Sequence, residues 1–190
     1  MIDHFGSIAK IYDSVIGIPD PAHLNQLLRL PIEGWLLDGG GGTGRVSGQL
    51  RPQVGHVVVN DLSHRMLKQA LQKSVLPVRG FTEQLPFADN TFERIVVVDA
   101  LHHFCNQQDS IRDLIRVLKP GGRMVIEEPD YNLKSVKILA LAEKMFLMRS
   151  HFITPEHIRD MVAGCGASAE VIKSDNFRAW VLADKSPEKK

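Results

Sequence analysis

From Leu36 to Ser47 the chain reads LLDGGGGTGRVS: an apolar run ending on a carboxylate, four successive glycines, then the first residues of a helical pattern. Glycine loses more backbone freedom on ordering than any other residue, so four together do not belong inside a helix or a strand. They belong in a sharp turn where backbone comes close to a ligand, at the point where a strand hands over to a helix. The segment therefore calls for an α/β fold that holds its ligand at a strand end.

The remainder alternates in the same way. Trp35 to Asp38, His56 to Asn60 and Arg94 to Val98 read as buried strands, and Arg123 to Glu127 as another. Leu76 to Arg79 is a weaker strand, because Pro77 removes a ladder donor. Ser63 is the expected cap of a helix with Met66, Leu67, Ala70 and Leu71 on one face. Asp109 is the expected cap of a second, carrying Ile111, Leu114, Ile115 and Leu118 and stopped by Lys119, Pro120, Gly121 and Gly122. Ser135 to Ser150 is apolar on nearly every side, which suits a lid over a pocket or a dimer contact. Thr154, Pro155 and Glu156 start a further helix with Ile158, Met161, Val162 and Cys165 inward. Ala169 to Ser174 and Ala179 to Ala183 have the spacing of a hairpin, which gives a parallel sheet an antiparallel edge.

A chain of 190 residues, 44% hydrophobic and 24% charged, suits one packed, soluble domain. Within it, 1–30 reads as a helical lid, 31–130 as a cofactor-binding core and 131–190 as a substrate-side helix followed by the hairpin. Lys and Arg total 23 against 22 Asp and Glu, so no global field draws the protein to nucleic acid or to an anionic membrane. Cys105 and Cys165 lie in no CxxC pair, which suggests neither a disulfide framework nor a zinc module and fits a reducing cytoplasm. Asp3 and His4 stand where a signal peptide would be basic, and no apolar run approaches about 18 residues, so neither export nor membrane spanning is expected.

By spacing alone, Gly39, Gly41 and Gly44 satisfy the dinucleotide pattern GxGxxG. Asp38 argues against that register, since a carboxylate beside the loop repels a pyrophosphate but suits a cationic ligand. S-adenosylmethionine, with its ammonium and sulfonium, is such a ligand. The plainer reading, in which Asp38 only caps the following turn, stays open.

Taken in the other register, Asp38, Gly40, Gly42 and Gly44 resemble the D/ExGxGxG motif I of the class I S-adenosylmethionine-dependent methyltransferases. The resemblance continues in order. Asn60, Asp61, Leu62 and Ser63 are similar to the end of that family's second strand, and Phe81 to Phe92 (FTEQLPFADNTF) to the segment between its third and fourth strands. VDALHHF, from Val98 to Phe104, and LKPGGRMVI, from Leu118 to Ile126, resemble the fourth-strand exit and the turn into the fifth. The amino-terminal FGSIAKIYD is similar to the opening of quinone-type C-methyltransferases.

The resemblance implies a Rossmann-like three-layer sandwich, with a mostly parallel seven-stranded sheet and an antiparallel final strand. It implies that S-adenosylmethionine is bound, and S-adenosylhomocysteine released, beside Asp38, Gly40, Gly42 and Gly44. Asp61 and Leu62 would lie at the ribose, and Thr82 and Glu83 at the adenine. Phe81 stands where relatives place an Asp, so adenine would be held by stacking and backbone groups, and Tyr12 would close over the cofactor.

The sulfonium methyl is already a good electrophile, so the protein's main task is to align an acceptor and exclude water. Asp99, His102, His103 and Glu128 are expected to gather beyond the strand ends on the acceptor side. His103 or His102 is the candidate base, oriented by an acid such as Asp99, with a helix-capping or packing role as the plain alternative. A metal triad is not expected, because adjacent histidines rarely converge on one ion. The expected partner is a small-molecule acceptor, met by a monomer or homodimer. A cofactor-binding protein without turnover and an NAD-dependent oxidoreductase are the alternatives.

Overall fold

The computed structural model describes residues 19–145, 150–173 and 177–187. Tyr12 and residues 146–149 of the expected lid helix therefore lie outside the described residues.

Helix α1, Pro21–Leu28, starts where the Asp20 side chain accepts the Ala22 N–H and ends on Arg29 in the left-handed region. It is followed by β1 (Ile32–Gly39), a short α2 (Ser47–Leu50), β2 (Val54–Asp61), α3 (His64–Ala70), β3 (Leu76–Arg79) and β4 (Phe92–Val98). Then come α4 (Gln107–Val117), β5 (Leu118–Pro129), α5 (Lys134–Met145), α6 (Pro155–Gly164), β6 (Ala167–Lys173) and β7 (Arg178–Lys185). The seven strands form one sheet in the order β3-β2-β1-β4-β5-β7-β6. The pairs among β1 to β5 are parallel, whereas β7 runs antiparallel to both β5 and β6.

The strands are apolar on both faces because both faces are covered. Leu37, Ile95, Val97, Met124 and Ile126 meet Ile111, Leu114 and Ile115 of α4 and Ile158 and Val162 of α6. Leu36, Val57, Val59, Val96 and Val125 meet Leu24, Leu27 and Leu28 of α1, Leu50 of α2 and Leu67 and Ala70 of α3. Each fully buried side chain of this kind stabilises the fold by about 1.5–3 kcal/mol relative to exposure. The result is the three-layer α/β sandwich implied by the motifs, with α1 in the core layer.

Two local expectations are corrected, one on α4 and one on α3. Helix α4 is capped by Asn106, whose side chain accepts the Asp109 N–H; Asp109 sits in the first turn, where its charge favours the helix N-terminus. Helix α3 closes at Ala70 and leaves Leu71 60% exposed. On α5, Val136 is buried while Ile138 and Leu141 are exposed. In the hairpin, β7 lies inside the sheet and β6 forms the edge. Hydrophobicity explains the order: Ala179 to Ala183 of β7 are all buried, whereas Glu170 and Ile172 of β6 face outward.

Candidate functional site

The glycine loop joins β1 to α2 at the point where strand order reverses between β2 and β4, the crevice in which open α/β sheets bind ligands. Gly40, Gly42 and Gly44 have φ of +70°, +56° and +70°, a region that favours glycine. The left-handed positions thus follow the DxGxGxG register; Gly39 and Gly41 are outside it. The Asn60 carbonyl accepts the N–H groups of Gly40 at 2.8 Å and Gly41 at 3.1 Å, tying the loop to the end of β2.

Asp38 is buried beneath the loop, where the Ser47 hydroxyl donates to it and a Cβ at Gly41 would strike its carboxylate. Burial pushes its carboxyl up to about 6, against the Ser47 hydrogen bond and the Arg45 charge that pull it down.

Asp61 ends β2 and spans two elements. One oxygen accepts the Gly42 N–H at 3.0 Å and the other the Ser63 N–H at 2.7 Å. Leu62 beside it is 36% exposed, and Phe81 across the strand end is 49% exposed. Thr82 is buried and donates to the Asn60 side-chain oxygen at 3.3 Å, while Glu83 accepts the Asn106 N–H at 3.0 Å. The residues expected around a nucleoside therefore collect at the ends of β1, β2 and β3, with Glu83 also fixing the approach to α4.

The exit of β4 is arranged differently from expectation. Asp99 takes a left-handed φ of +54° and approaches Arg45 at 3.9 Å, so it pairs across the loop and orients neither histidine. Glu127 and Glu128 are adjacent on β5 and point to opposite faces. Glu127 is fully buried against Arg178 and keeps one oxygen, Oε2, without a hydrogen-bond partner among the described residues. Glu128 accepts the Ala100 and Leu101 N–H groups at 3.0 and 2.7 Å through one oxygen and meets His102 Nδ1 at 2.5 Å through the other.

His102 is 3% exposed; its ring stacks on Phe152 with centroids 4.3 Å apart and leans on His103 at 4.0 Å. His103 Nδ1 lies 3.3 Å from the Ser150 hydroxyl. Burial, reinforced by the neighbouring His102, pushes the His103 imidazole down to about 3, so it stays neutral and is a weak base. Phe152 and Tyr131, with rings 15° from parallel, line a cavity of about 420 Å³ with Lys137, Leu141 and Ser150. Among the described residues, no group of three His, Cys, Asp or Glu side chains could hold a metal ion, and no helix is long and apolar enough to cross a membrane.

Arg45, Glu127 and Arg178 were not anticipated. Arg45 was visible as the residue after TG in the glycine motif, but nothing in the sequence pairs Glu127 with Arg178 across β5 and β7. Their partnership follows from the antiparallel register that sets Glu127 opposite Trp180 and Glu128 opposite Ala179.

Comparison with known proteins bears on this site directly. A methyltransferase domain family matches residues 37–126, from the end of β1 through the glycine loop to β5. The ubiquinone/menaquinone biosynthesis C-methyltransferase UbiE of Enterobacter sp. strain 638 is 33% identical over 144 residues, covering 70% of this chain and 55% of that protein. The corresponding protein of Idiomarina loihiensis is 38% identical over 104 residues, 49% of this chain and 41% of its own length. The chain thus spans about half the length of the curated relatives it matches. In fold it is similar to a SAM-dependent methyltransferase from Aquifex aeolicus, with a TM-score of 0.77 at 19% identity over 97% of this chain and 99% of that one. Motif order, the left-handed glycines at 40, 42 and 44 and the domain match agree: over residues 37–126 the chain is similar to the methyltransferase domain family.

Proposed function

We propose that this protein transfers a methyl group from S-adenosylmethionine to a small-molecule acceptor, acting in the cytoplasm as a monomer or homodimer. The observation that carries this reading is the clamped glycine loop, with three left-handed glycines in the methyltransferase register and Asp61 bonded to its middle. The residues present fit the cofactor. Among the described residues, a Cβ at Gly42 would meet only Asp61 Oδ2, at 3.9 Å, which leaves room beside the backbone there for a ligand to approach. The orphaned Glu127 oxygen, with Asp38, Asp99, Arg45 and Arg178 around the same strand ends, supplies both signs of charge for an amino acid moiety.

In this reading Gly40, Gly42 and Gly44 let the backbone approach the cofactor, and the Asp61 carboxylate accepts the ribose hydroxyls. Leu62 and Phe81 flank the adenine with Thr82 and Glu83, while Asp38 and Asp99 face the cationic end. The cofactor supplies a methyl group that is already electrophilic, which leaves the protein to bind, align and exclude water. His102 and His103 lie on the acceptor side.

Two measurements test the reading. Thermal unfolding with S-adenosylmethionine, S-adenosylhomocysteine or NAD should show stabilisation by the first two, about 2.7 kcal/mol at a hundred times Kd. Stabilisation by NAD alone would refute it. Labelled methyl transfer into a small-molecule cell extract should then separate an enzyme from a protein that only binds the cofactor, because binding without labelled product would retain the site and discard the catalysis.

A further inference from the structure

The turn that leaves β4 touches two sites. A Cβ at Gly40 would lie 2.8 Å from Phe104 and 2.9 Å from Ala100, so both ends of the turn reach the glycine loop. Its middle residue, His102, stacks on Phe152 with centroids 4.3 Å apart and planes at 16°. Phe152 is a wall of the cavity of about 420 Å³, a size that suits a molecule of about one or two fused rings. That short turn therefore separates the cofactor loop from the cavity.

The walls of the cavity define what it can hold. Tyr131, just past the end of β5, keeps its ring 15° from that of Phe152, with centroids 6.1 Å apart. His102, Phe152 and Tyr131 share one orientation, and a flat ring laid along it contacts both aromatic walls. Ala140 and Leu141 of α5 add an apolar side. Lys137 of α5 brings an ammonium, and among the described residues no acid lines the cavity. Lys137 Nζ stands 5.8 Å from the Tyr131 centroid, close to the outer limit of cation–π attraction at about 6 Å. It forms no ion pair or side-chain hydrogen bond with the described residues. Three acids at the same end of the sheet are engaged elsewhere: Glu128 with His102, Asp130 with the Asn132 N–H at 2.9 Å, and Glu156 with Lys173 at 2.7 Å.

Building on the methyl-transfer reading, we propose that this cavity is the acceptor pocket and takes a planar aromatic carboxylate, its ring against Phe152 and Tyr131 and its carboxylate on Lys137. One ammonium matches one negative charge. A doubly charged phosphate favours the planar fork of arginine, and no arginine lines the cavity among the described residues. The turn from Ala100 to Phe104 then seats the acceptor beside the cofactor loop while keeping the two ligands in separate sites.

The probes are 2-naphthoate and its neutral counterpart 2-naphthamide, read by calorimetry on the full chain. Naphthoate should bind about tenfold more tightly than naphthamide, and should still bind when S-adenosylhomocysteine is saturating. Lys137→Gln should abolish that preference by weakening naphthoate alone about tenfold, the scale of one charge-assisted hydrogen bond near the surface, and Lys137→Arg should restore it. Lys137 is exposed, so thermal unfolding of both variants should match the wild type. Phe152→Leu should weaken the two probes together, because it removes the ring they share as a wall. Naphthoate should also inhibit labelled methyl transfer into the cell extract at concentrations where naphthamide does not. Equal affinity for the two probes, no binding of either at millimolar concentration, displacement of naphthoate by S-adenosylhomocysteine, or a preference that survives Lys137→Gln would each overturn the proposal. Loss of S-adenosylmethionine binding by the wild type would instead strike the methyl-transfer reading, with the charge preference of the cavity still decided by the naphthoate pair.

Discussion

Asp61 accepts the Gly42 N–H at 3.0 Å, so a residue at the end of β2 holds the crest of a loop that belongs to β1. Its second oxygen meets Ser63 at 2.7 Å, and Ser63 in turn caps α3. Asp61→Ala removes both contacts together with the group assigned to the ribose. Hydrogen bonds to a charged group contribute about 1.5–3 kcal/mol, so S-adenosylmethionine affinity should fall roughly 10- to 100-fold by calorimetry. Asp61→Asn keeps one oxygen acceptor and should lie between alanine and wild type. Near-normal affinity in Asp61→Ala would take this residue out of the cofactor site.

Gly40 and Gly42 share a left-handed backbone but differ in what surrounds them. A Cβ at Gly40 would lie 2.8 Å from Phe104 and 2.9 Å from Ala100, whereas at Gly42 it would meet, among the described residues, only the Asp61 oxygen. Both alanine variants carry a backbone penalty of about 1–2 kcal/mol, and Gly40→Ala adds about 1–3 kcal/mol of overpacking. Thermal unfolding should therefore rank Gly40→Ala below Gly42→Ala by several degrees. Gly42→Ala should instead show its larger effect on cofactor affinity, since its Cβ enters the space a ligand would use. An equal loss of stability in both would contradict the packing argument.

Arg116 holds the segment that carries Thr82 and Glu83. Its guanidinium donates to the carbonyls of Leu85 at 3.1 Å and Phe87 at 2.8 Å while pairing with Asp89 and Asp113 at 2.7 Å. Asp113 completes the clamp by accepting the Leu85 N–H at 2.6 Å. The side chain is 32% exposed, so water screens part of the charge, and Arg116→Ala should cost about 1–3 kcal/mol. Lysine cannot form the same planar fork, so Arg116→Lys should recover less than half of the loss in chemical denaturation. Full recovery by lysine would show that charge alone matters here.

What the sequence disclosed was what local chemistry determines. Strand runs, the Ser63 and Thr154 caps and the register of the left-handed glycines all follow from residue type and short spacing. The pairing of side chains across strands did not. Asp99 and Glu128 are both acids that residue order brings near His102, and proximity in sequence favours Asp99. Only the β4–β5 register, with Val98 opposite Glu127, shows that Glu128 reaches the histidine while Asp99 turns to Arg45. The order of β6 and β7 in the sheet is likewise a matter of tertiary packing. A hairpin's spacing states that two strands pair, and relative burial decides which of them enters the sheet.

Asp38 and His103 should give opposite dependences of stability on pH. The Asp38 carboxyl is raised from 3.8 to about 6, so the folded state holds its proton more tightly than the unfolded chain does. Its contribution is complete below about pH 4 and is lost as pH rises through 6, about 3 kcal/mol at roughly 1.4 kcal/mol per pH unit. His103 is lowered from 6.5 to about 3, so its contribution is complete above 6.5 and is lost as pH falls toward 3. Between pH 4 and 6 the two oppose each other, and the wild-type curve alone conceals them. Variants separate them: the stability of Asp38→Asn relative to wild type should rise with pH across 4 to 6, and that of His103→Gln should rise as pH falls below 6.5. Denaturant unfolding at half-unit pH steps measures both differences. A flat difference for Asp38→Asn would mean that the carboxyl is solvated in the folded protein, and that the loop is not built over a buried acid.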